Sequence, residues 1–293
     1  MVGLGILVAV ALRAQAPLDD ILRRLAEEAE VFARAARDVI AEETLTHRAV
    51  KGPARFRPRI GAAAMETPKL RFQSRQVVSE YAFGSFEDSP AVLHEFRQVV
   101  SVDGRKVVGS EKARRSLALG IRSRNDVVKR QMLKDFEKHG LTGAATDFGQ
   151  LILLFVARRL AQFRFTLAGE NRVGADAVVV ISYQETGGRE SLTVFEGRRT
   201  IHQALAGEIW ARKPDWLPLR ITARTRRPEG EHEIHSEVIV DYTPTAHGVV
   251  LPAAVTHRES ARGQVLVENL FHYSPFRRFT AETELKFDIV ERE

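Results

Sequence analysis

The last third of the chain, from Gly207 to Phe287, reads GEIWARKPDWLPLRITARTRRPEGEHEIHSEVIVDYTPTAHGVVLPAAVTHRESARGQVLVENLFHYSPFRRFTAETELKF. Short runs of alternating apolar and polar residues recur along it, and turn-forming residues separate them at nearly regular intervals. In the run from Leu217 to Arg226, leucine, isoleucine and alanine alternate with arginine and threonine, so one face of the strand is apolar. The stretch predicts an antiparallel sheet that is covered on one face and wide enough to curl.

Strand patterns also occur earlier in the chain, in one group between Glu43 and Val108 and another between Phe163 and Phe195. Asp103-Gly104 is a strong hairpin signal inside the first group, and Lys51 to Pro68 has the glycines and prolines of a loop. The strands of residues 207–287 are called the ladder below. Together with the ladder, these groups predict about ten or eleven strands. The predicted strands of the ladder are Glu208–Ala211, Leu217–Arg226, Glu233–Tyr242, Val249–His257, Gln264–His272 and Arg278–Phe287.

Helical patterns occur at the N-terminus and between the two early groups of strands. Leu18 to Ile40 has apolar residues at three- and four-residue spacings and predicts one amphipathic helix. Three more helices are predicted: one from Ser110 to Leu119, one capped by Ser123 that runs to Lys138, and one from Phe148 to Ala161. The run Leu151–Val156 is apolar all round, so it is either buried core or the lining of a ligand cavity.

The fold class predicted from these elements is α+β. A large curled antiparallel sheet, a half-open barrel, packs with the N-terminal helix and with a helical insertion at about residues 110–161. We expect one domain over residues 17–293, because the helices and the apolar face of the sheet need each other as cover.

The N-terminus has the features of a signal peptide. Val2 to Leu12 is apolar, and Ala14-Gln15-Ala16 has the small residues that signal peptidase recognises, so we expect cleavage near Ala16 and a periplasmic or secreted protein. The apolar run is too short for a membrane-spanning helix, so an integral membrane protein is not expected. The chain contains no cysteine, which excludes disulfides, thiolate metal sites and a cysteine nucleophile.

The formal net charge is +6 at pH 7, but the basic residues are scattered among acidic neighbours. The densest groups, Lys112–Arg115 and Arg224–Arg227, are short, and a nucleic-acid surface normally shows a longer basic stripe. We therefore expect no nucleic-acid partner, whereas attraction to anionic lipid headgroups stays open.

No set of residues in the sequence forms a recognisable catalytic or metal motif. His232 and His235 are three apart on a predicted strand, so they point to opposite faces and no metal site is expected. There is no Gly-x-Ser-x-Gly element, and Asp147-Phe148-Gly149 lacks the rest of a kinase signature. Glu282 and Glu284 are taken as solvent-exposed. An enzyme is therefore the weakest hypothesis, and no cofactor is expected.

Several short runs of the ladder, together with the Val-Asp-Gly-Arg hairpin Val102–Arg105, resemble a known group of exported bacterial proteins. The group has the half-open barrel of the outer-membrane lipoprotein carriers (LolA/LolB type), and the resemblance implies a periplasmic protein that binds acyl chains or another apolar ligand inside the barrel. No functional residue is carried over from it. The runs that carry the resemblance are Gly207–Trp210, Leu217–Arg220, Val240–Tyr242, His247–Pro252 and Tyr273–Phe279.

The leading hypothesis is a non-enzymatic periplasmic carrier or sensor that binds a lipid or another apolar ligand between sheet and helices. Its expected apolar lining is Leu151, Leu154, Phe155 and Trp210, although Trp210 also fits a role in packing under a turn. The alternative is a structural or protein-interaction module of the envelope that binds no small ligand.

Overall fold

The computed structural model describes residues 4–51, 71–186, 192–196, 199–229, 232–246 and 248–278. Three α-helices lie within these ranges: α1 (Leu4–Ala35), α2 (Ser110–Arg122) and α3 (Asp126–Glu137). Short 3₁₀ helices occur at Ala36–Asp38, Leu151–Phe155 and Ala157–Gln162. The strands of the same ranges are β1 (Val39–Val50), β2 (Phe72–Gly84), β3 (His94–Val102), β4 (Arg105–Lys106), β5 (Phe163–Val173), β6 (Asp176–Glu185), β7 (Leu192–Glu196), β8 (Arg199–Gln203), β9 (Ala206–Arg212), β10 (Pro218–Glu229), β11 (His232–Pro244), β12 (Val250–Ala261), β13 (Gln264–Tyr273) and β14 (Arg277–Arg278).

Twelve strands form one antiparallel sheet in the order β4-β3-β2-β1-β13-β12-β11-β10-β9-β6-β5, and β14 also pairs with β1. β7 and β8 form a separate hairpin. β1 lies near the middle, where Thr44 pairs with Val78 on one side and with His272 on the other. Among the described strands, β4 and β5 are the two edges, so the sheet does not close. The predicted α+β class with a large, half-open antiparallel sheet is confirmed.

The predicted hairpin at Asp103-Gly104 is present between β3 and β4. Both residues have positive φ angles, 51° and 75°, as a two-residue type I′ turn requires. The predicted ladder is also present: β9 to β13 follow one another as neighbouring antiparallel strands. Only the first residues of the last predicted strand are described, as β14, and residues 279–287 lie outside the described ranges.

Alternation along the strands gives the sheet two faces, and α1 covers one of them. We call this the inner face; it carries Leu45, Ile221 and Phe271, each at most 1% exposed. α1 packs toward it through a stripe of apolar residues at helical spacing, each at most 1% exposed. The stripe consists of Ile21, Leu25, Ala29 and Phe32.

α2 covers the opposite, outer face at the β1–β3 end of the sheet, which differs from the expectation that all helices cover one face. Leu117 of α2 packs in a cluster with Ile40, Ala82 and Phe96, which alternate with the inner-face residues of their strands. α3 lies beside β3 and contributes to both faces, because its Met132 joins this outer cluster while its Phe136 joins the inner core. The strands β2 and β3 are therefore buried on both sides.

Three predicted boundaries are corrected. The helix predicted from Phe148 to Ala161 is two 3₁₀ helices interrupted at Val156, which has extended φ and ψ angles of −58° and 145°. Asn125, not Ser123, caps α3: the Asn125 side chain accepts the Val127 N–H at 2.9 Å. The N-terminal helix ends at Ala35, so β1 begins at Val39, four residues before the strand start predicted at Glu43.

α1 begins at Leu4 and continues without a break past Ala16. Cleavage near Ala16 stays a prediction. Within the described ranges, none of the helices is both long and apolar enough to cross a membrane. Most of the predicted loop, residues 52–68, lies outside those ranges.

Candidate functional site

The segment Asp147–Val156, called the plug below, lies between the inner face of the sheet and α1. Phe155 near its C-terminal end is 0% exposed, and the centroid of its ring lies 4.9 Å from that of Tyr183 and 5.5 Å from that of Phe163. Within the plug, only Leu151–Phe155 is helical, as a five-residue 3₁₀ helix. A 3₁₀ helix has poorer hydrogen-bond geometry than an α-helix. Side-chain packing is therefore what mainly fixes its position.

Two side chains of the sheet hydrogen-bond to the backbone of the plug. Glu95 Oε1 on β3 accepts the Gly149 N–H at 2.6 Å. The Tyr242 hydroxyl on β11 accepts the Ile152 N–H at 3.0 Å and donates to the Gly149 carbonyl at 3.1 Å. A Cβ atom on Gly149 would lie 3.0 Å from both Glu95 Oε1 and Tyr81 Oη, so a larger residue would push these side chains away from the plug.

Asp147 adds a contact in the reverse direction, from the plug to β3. Its Oδ1 accepts the Glu95 N–H at 3.0 Å, and its Oδ2 lies 3.0 Å from His94 Nδ1. We call Glu95, Asp147 and Tyr242 the latch, because their hydrogen bonds attach one end of the plug to the sheet.

The latch continues into a buried ion network on the inner face. Arg97 donates through Nε to both carboxylate oxygens of Glu43, at 2.8 and 3.0 Å, and through Nη2 to Glu95 Oε2 at 2.7 Å. The three side chains are at most 2% exposed. The rings of Tyr81 and Phe271 lie 5.2 and 5.5 Å from the guanidinium carbon and surround it with aromatic surface. A charge group of this kind is tolerated only when every member is paired.

Burial raises the pKa of Glu95 to about 8; Arg97 opposes this shift, while Asp147 and Glu43 add to it. For Arg97, burial acts to lower the pKa, but Glu43 and Glu95 together raise it well above its ordinary value. Glu95, which accepts the hydrogen bond from the Gly149 N–H of the plug, therefore changes its charge near physiological pH.

A second polar row crosses the inner face on four neighbouring strands. His47 Nδ1 lies 2.6 Å from Asn269 Oδ1. Asn269 Nδ2 donates to the Thr142 carbonyl at 2.9 Å and lies 3.2 Å from His257 Nδ1. His257 Nε2 in turn lies 3.2 Å from Ser236 Oγ. The row resembles the serine, histidine and amide set of a hydrolase in composition.

The hydrogen bonds of Asn269 assign the wrong histidine tautomer for that chemistry. Because the Thr142 carbonyl can only accept, the Asn269 amide nitrogen faces it and also donates to His257 Nδ1. The proton of neutral His257 is then on Nε2, which donates to Ser236 instead of removing its proton. Burial lowers the pKa of His257 to about 4, with Arg227 and His47 acting in the same direction. The row is a structural hydrogen-bond chain.

The structure brings together three of the four predicted lining residues. Leu151, Leu154 and Phe155 lie in the plug and are 5%, 8% and 0% exposed. Trp210 is half-buried and packs against the same hydrophobic cluster; it pairs with Arg220, while Ile209 beside it is fully buried. Its indole N–H donates to Glu208 at 3.0 Å, and the Arg220 guanidinium carbon lies 5.1 Å from its ring.

A small cavity lies beside the plug. Its volume is about 10 Å³, close to that of one water molecule. Pockets that hold drug-sized ligands have volumes of roughly 300–1,000 Å³. The conformation described here is therefore filled by its own side chains at this point. The cavity is lined by Phe148, Leu151, Leu205, Ala223, Thr225, Ser236 and Val238.

The described residues contain no group of three or more histidine, aspartate or glutamate side chains placed to hold a metal ion. His232 Nδ1 lies 3.0 Å from Arg262 Nη2, and His235 Nε2 lies 3.2 Å from Glu233 Oε2. The two histidines therefore have separate partners.

Sequence reasoning missed the latch and the ion network. Glu95 and Arg97 alternate with Phe96 in β3, so a signal existed: one face of this strand is charged and the other aromatic. A charged strand face is normally exposed to solvent, and the sequence does not show that α2 covers the aromatic face. Both faces of β3 are in fact buried.

Solved structures similar to this chain include a DUF1329 family protein from Desulfovibrio piger, a LolA superfamily protein from Nitrosomonas europaea, and MucB in complex with MucA(peri). The first is 12% identical, with 92% of this chain and 94% of that chain covered and a TM-score of 0.35. The second is 10% identical, with coverage of 90% and 96% and a TM-score of 0.29. The third is 12% identical, with coverage of 90% and 99% and a TM-score of 0.20.

The LolA superfamily protein agrees with the resemblance expected from the sequence. No family model and no curated protein matches the chain. At TM-scores below 0.5, the structural similarities indicate no shared ligand, partner or compartment for this chain.

Proposed function

We propose that this chain is a non-enzymatic protein of the bacterial envelope that binds an acyl chain or a similar apolar ligand between its sheet and α1. The observation that carries the proposal is the plug, a buried apolar segment that lies on the inner face without belonging to the sheet or to a long helix. In the proposed complex the plug moves away from the sheet, and the ligand occupies the space that it leaves.

The contacts of the plug support this exchange. Leu151, Leu154 and Phe155 give the inner face an apolar filling that an acyl chain can replace, and in the complex these side chains contact the ligand from the α1 side. The backbone contacts of the latch involve few residues, so they can open without unfolding the sheet. Each buried methylene contributes about 0.8 kcal/mol, so an acyl chain of about ten carbons contributes about 8 kcal/mol toward the free energy needed to move the plug.

The test is a titration of the purified chain with a dansyl-labelled fatty acid, followed by native mass spectrometry of the complex. We expect saturable binding with one ligand per chain. Gly149→Ala should bind about tenfold tighter, because its Cβ atom crowds Glu95 and Tyr81 and raises the fraction of open molecules.

Leu117→Ala is the matched control. Leu117 is 0% exposed but lies in the outer cluster, so its substitution destabilises the fold without touching the plug. Its ligand affinity should equal that of the unchanged chain. Absence of saturable binding in both the unchanged chain and Gly149→Ala contradicts the proposal, and so does equal tightening in the two variants.

A protein-interaction module is the second candidate, and the edge strand β5 favours it. No other described strand pairs with the free side of β5, and such an edge can accept a strand from a partner protein. A photo-crosslinker at Asn171 on β5 should then capture one specific partner, whereas one at Glu237 on the outer face should not. Capture of a partner, together with no binding of the dansyl fatty acid, favours this candidate.

A further inference from the structure

Most of the net positive charge of the chain comes from the α2–α3 hairpin. Residues 110–138 contain nine basic and four acidic side chains, a net charge of +5, compared with +6 for the whole chain. Asp126 is engaged internally, since its carboxylate accepts the backbone N–H groups of Glu87 and Asp88 at 2.9 and 3.3 Å. Asp135 is engaged by Gln131, which donates to it at 2.8 Å. With these acids counted, the net charge of the hairpin is still +5.

Several of the cations of the hairpin face solvent. Lys112, Arg124 and Lys134 are exposed, and within the described part of the chain they form no ion pair. Arg122 is exposed as well. Lys112, Arg124 and Lys134 are therefore available to an external anion.

Exposed apolar side chains stand among these cations. Leu119 at the end of α2 is 63% exposed, and Val127 and Val128 at the start of α3 are 71% and 41% exposed. We call the segment Leu119–Val128 the corner, because its three-residue link joins the two helices. The inward sides of the helices are already used by residues such as Leu117 and Ile121, whereas Leu119, Val127 and Val128 face solvent.

Scattered exposed apolar residues are common on soluble proteins, and so are basic patches. The corner combines both within ten residues. A nucleic acid would use the cations alone, whereas an anionic bilayer uses both, with cations at the phosphates and apolar tips between the headgroups.

We propose that the corner docks onto an anionic membrane surface. Leu119 and Val127 enter the headgroup region, and Arg124 and Lys134 contact lipid phosphates. The corner lies on the outer-face side of the sheet, away from α1 and the plug, so docking is independent of whether the inner face binds a ligand.

The test is co-sedimentation of the full chain with vesicles of phosphatidylglycerol and phosphatidylethanolamine, compared with vesicles of phosphatidylcholine alone. We expect binding to the anionic vesicles only, and a decrease as salt rises, because salt screens the attraction between exposed charges. Any contribution from residues 1–16 is common to all variants of the chain and cancels in their comparison.

Two variants of the corner separate the apolar contribution to vesicle binding from the electrostatic one. The Leu119→Ser, Val127→Ser double variant removes the apolar tips, and Arg124→Glu reverses one charge. Each should weaken partitioning about fivefold or more, since one basic residue near an anionic surface contributes about fivefold. Val265→Ser and Arg226→Glu are the matched controls, because both residues are exposed and lie on the ladder, distant in sequence from the corner.

Equal binding to neutral and anionic vesicles overturns the proposal, and so does equal loss in the corner and control variants. Binding of the dansyl fatty acid should be unchanged in all four variants. Loss of vesicle binding with intact fatty-acid binding therefore tests the corner alone.

Discussion

Glu95 serves two partners with opposite requirements on the inner face. The Arg97 guanidinium favours a charged carboxylate, whereas burial beside Asp147 favours the neutral acid, and the balance raises the pKa of Glu95 to about 8. Glu95 also holds the Gly149 N–H of the plug. The proton on one carboxyl group is thereby coupled to the stability of the closed fold.

This coupling predicts a loss of stability as pH rises above neutrality. Between its ordinary pKa of 4.5 and about 8, Glu95 holds its proton in the folded chain but has lost it in the unfolded chain, so the free energy of unfolding falls with pH. His257 acts oppositely between 6.5 and about 4, where only the unfolded chain binds the proton. The contributions of Glu95 and His257 to the pH dependence of the free energy of unfolding therefore nearly cancel between pH 4.5 and 6.5. Urea unfolding should therefore show the free energy of unfolding declining from pH 6.5 to 8.

Glu95→Gln is the control for this prediction, because glutamine keeps the shape and the contact with Gly149 but does not titrate. The free energy of unfolding of Glu95→Gln should not decline from pH 6.5 to 8. The same slope in both proteins contradicts the assignment to Glu95.

The polar row gives a second prediction. Asn269→Ala should lower the free energy of unfolding by about 3 kcal/mol, because it leaves His47, His257 and the Thr142 carbonyl without their buried partner. Ser236→Ala at the end of the row should cost about 1 kcal/mol or less. Chemical denaturation of the two variants measures both values, and equal losses would show that Asn269 does not hold the row together.

Individual residues differ in how far the sequence predicts their place. The alternation of Leu219 and Ile221 with Arg220 predicts their faces correctly, because one side of that strand is clearly apolar. Trp210 was expected either as lining or in packing under a turn, and it packs against the core with Glu208 and Arg220 as its polar partners, so the pattern alone did not decide its role.

At the scale of elements, α2 shows how one helix has two unlike sides. Leu117 is 0% exposed and Leu119 is 63% exposed, although only one residue separates them. We expect Leu117→Ala to lower the free energy of unfolding by roughly 2–5 kcal/mol, because it leaves a cavity in the outer cluster. Leu119→Ala should change it by no more than about 0.5 kcal/mol. Thermal denaturation of the pair measures the difference, and similar losses in both would contradict the observed orientation of α2.

The plug shows where element prediction fails. The run Leu151–Val156 lacks a polar face, so its sequence favours no particular helical period, and contacts with the sheet and α1 decide its conformation. The hairpin at Asp103-Gly104 was predictable because its positive φ angles are a local requirement. Local signals were sufficient for turns and strands, but not for a segment shaped by packing from all sides.

At the scale of the whole molecule, the layers share one sheet. α1 and the plug lie on the inner face and α2 on the outer face, with β2 and β3 contributing to both clusters. We therefore predict one cooperative unfolding transition. Leu117→Ala and Phe271→Ala, placed in the outer and inner clusters, should shift the same transition seen by far- and near-ultraviolet circular dichroism. Two transitions that respond separately would contradict a single domain over residues 17–293.

The sequence predicted the strands and helices better than the face that each helix covers or the strand that each strand pairs with. Neighbouring strands of the ladder were predictable from short turns, whereas nothing local to β1 indicates that it pairs with β13. That pairing joins residues more than two hundred positions apart, and alternation along a strand carries no information on the identity of its neighbour.

The position of β1 has a consequence for the order in which the chain can fold. Leu45 pairs with Val77 on one side and with Phe271 on the other, so the centre of the sheet forms only after almost the whole polypeptide has been made. A chain that is still emerging from the ribosome has β1 and β2 but not β13. The hydrogen bonds between β1 and β13 wait for the last strands, and such long-range pairing folds slowly. The pairing of β1 with β13 is therefore among the last parts of the sheet to form, after local hairpins such as β1–β2 and β10–β11.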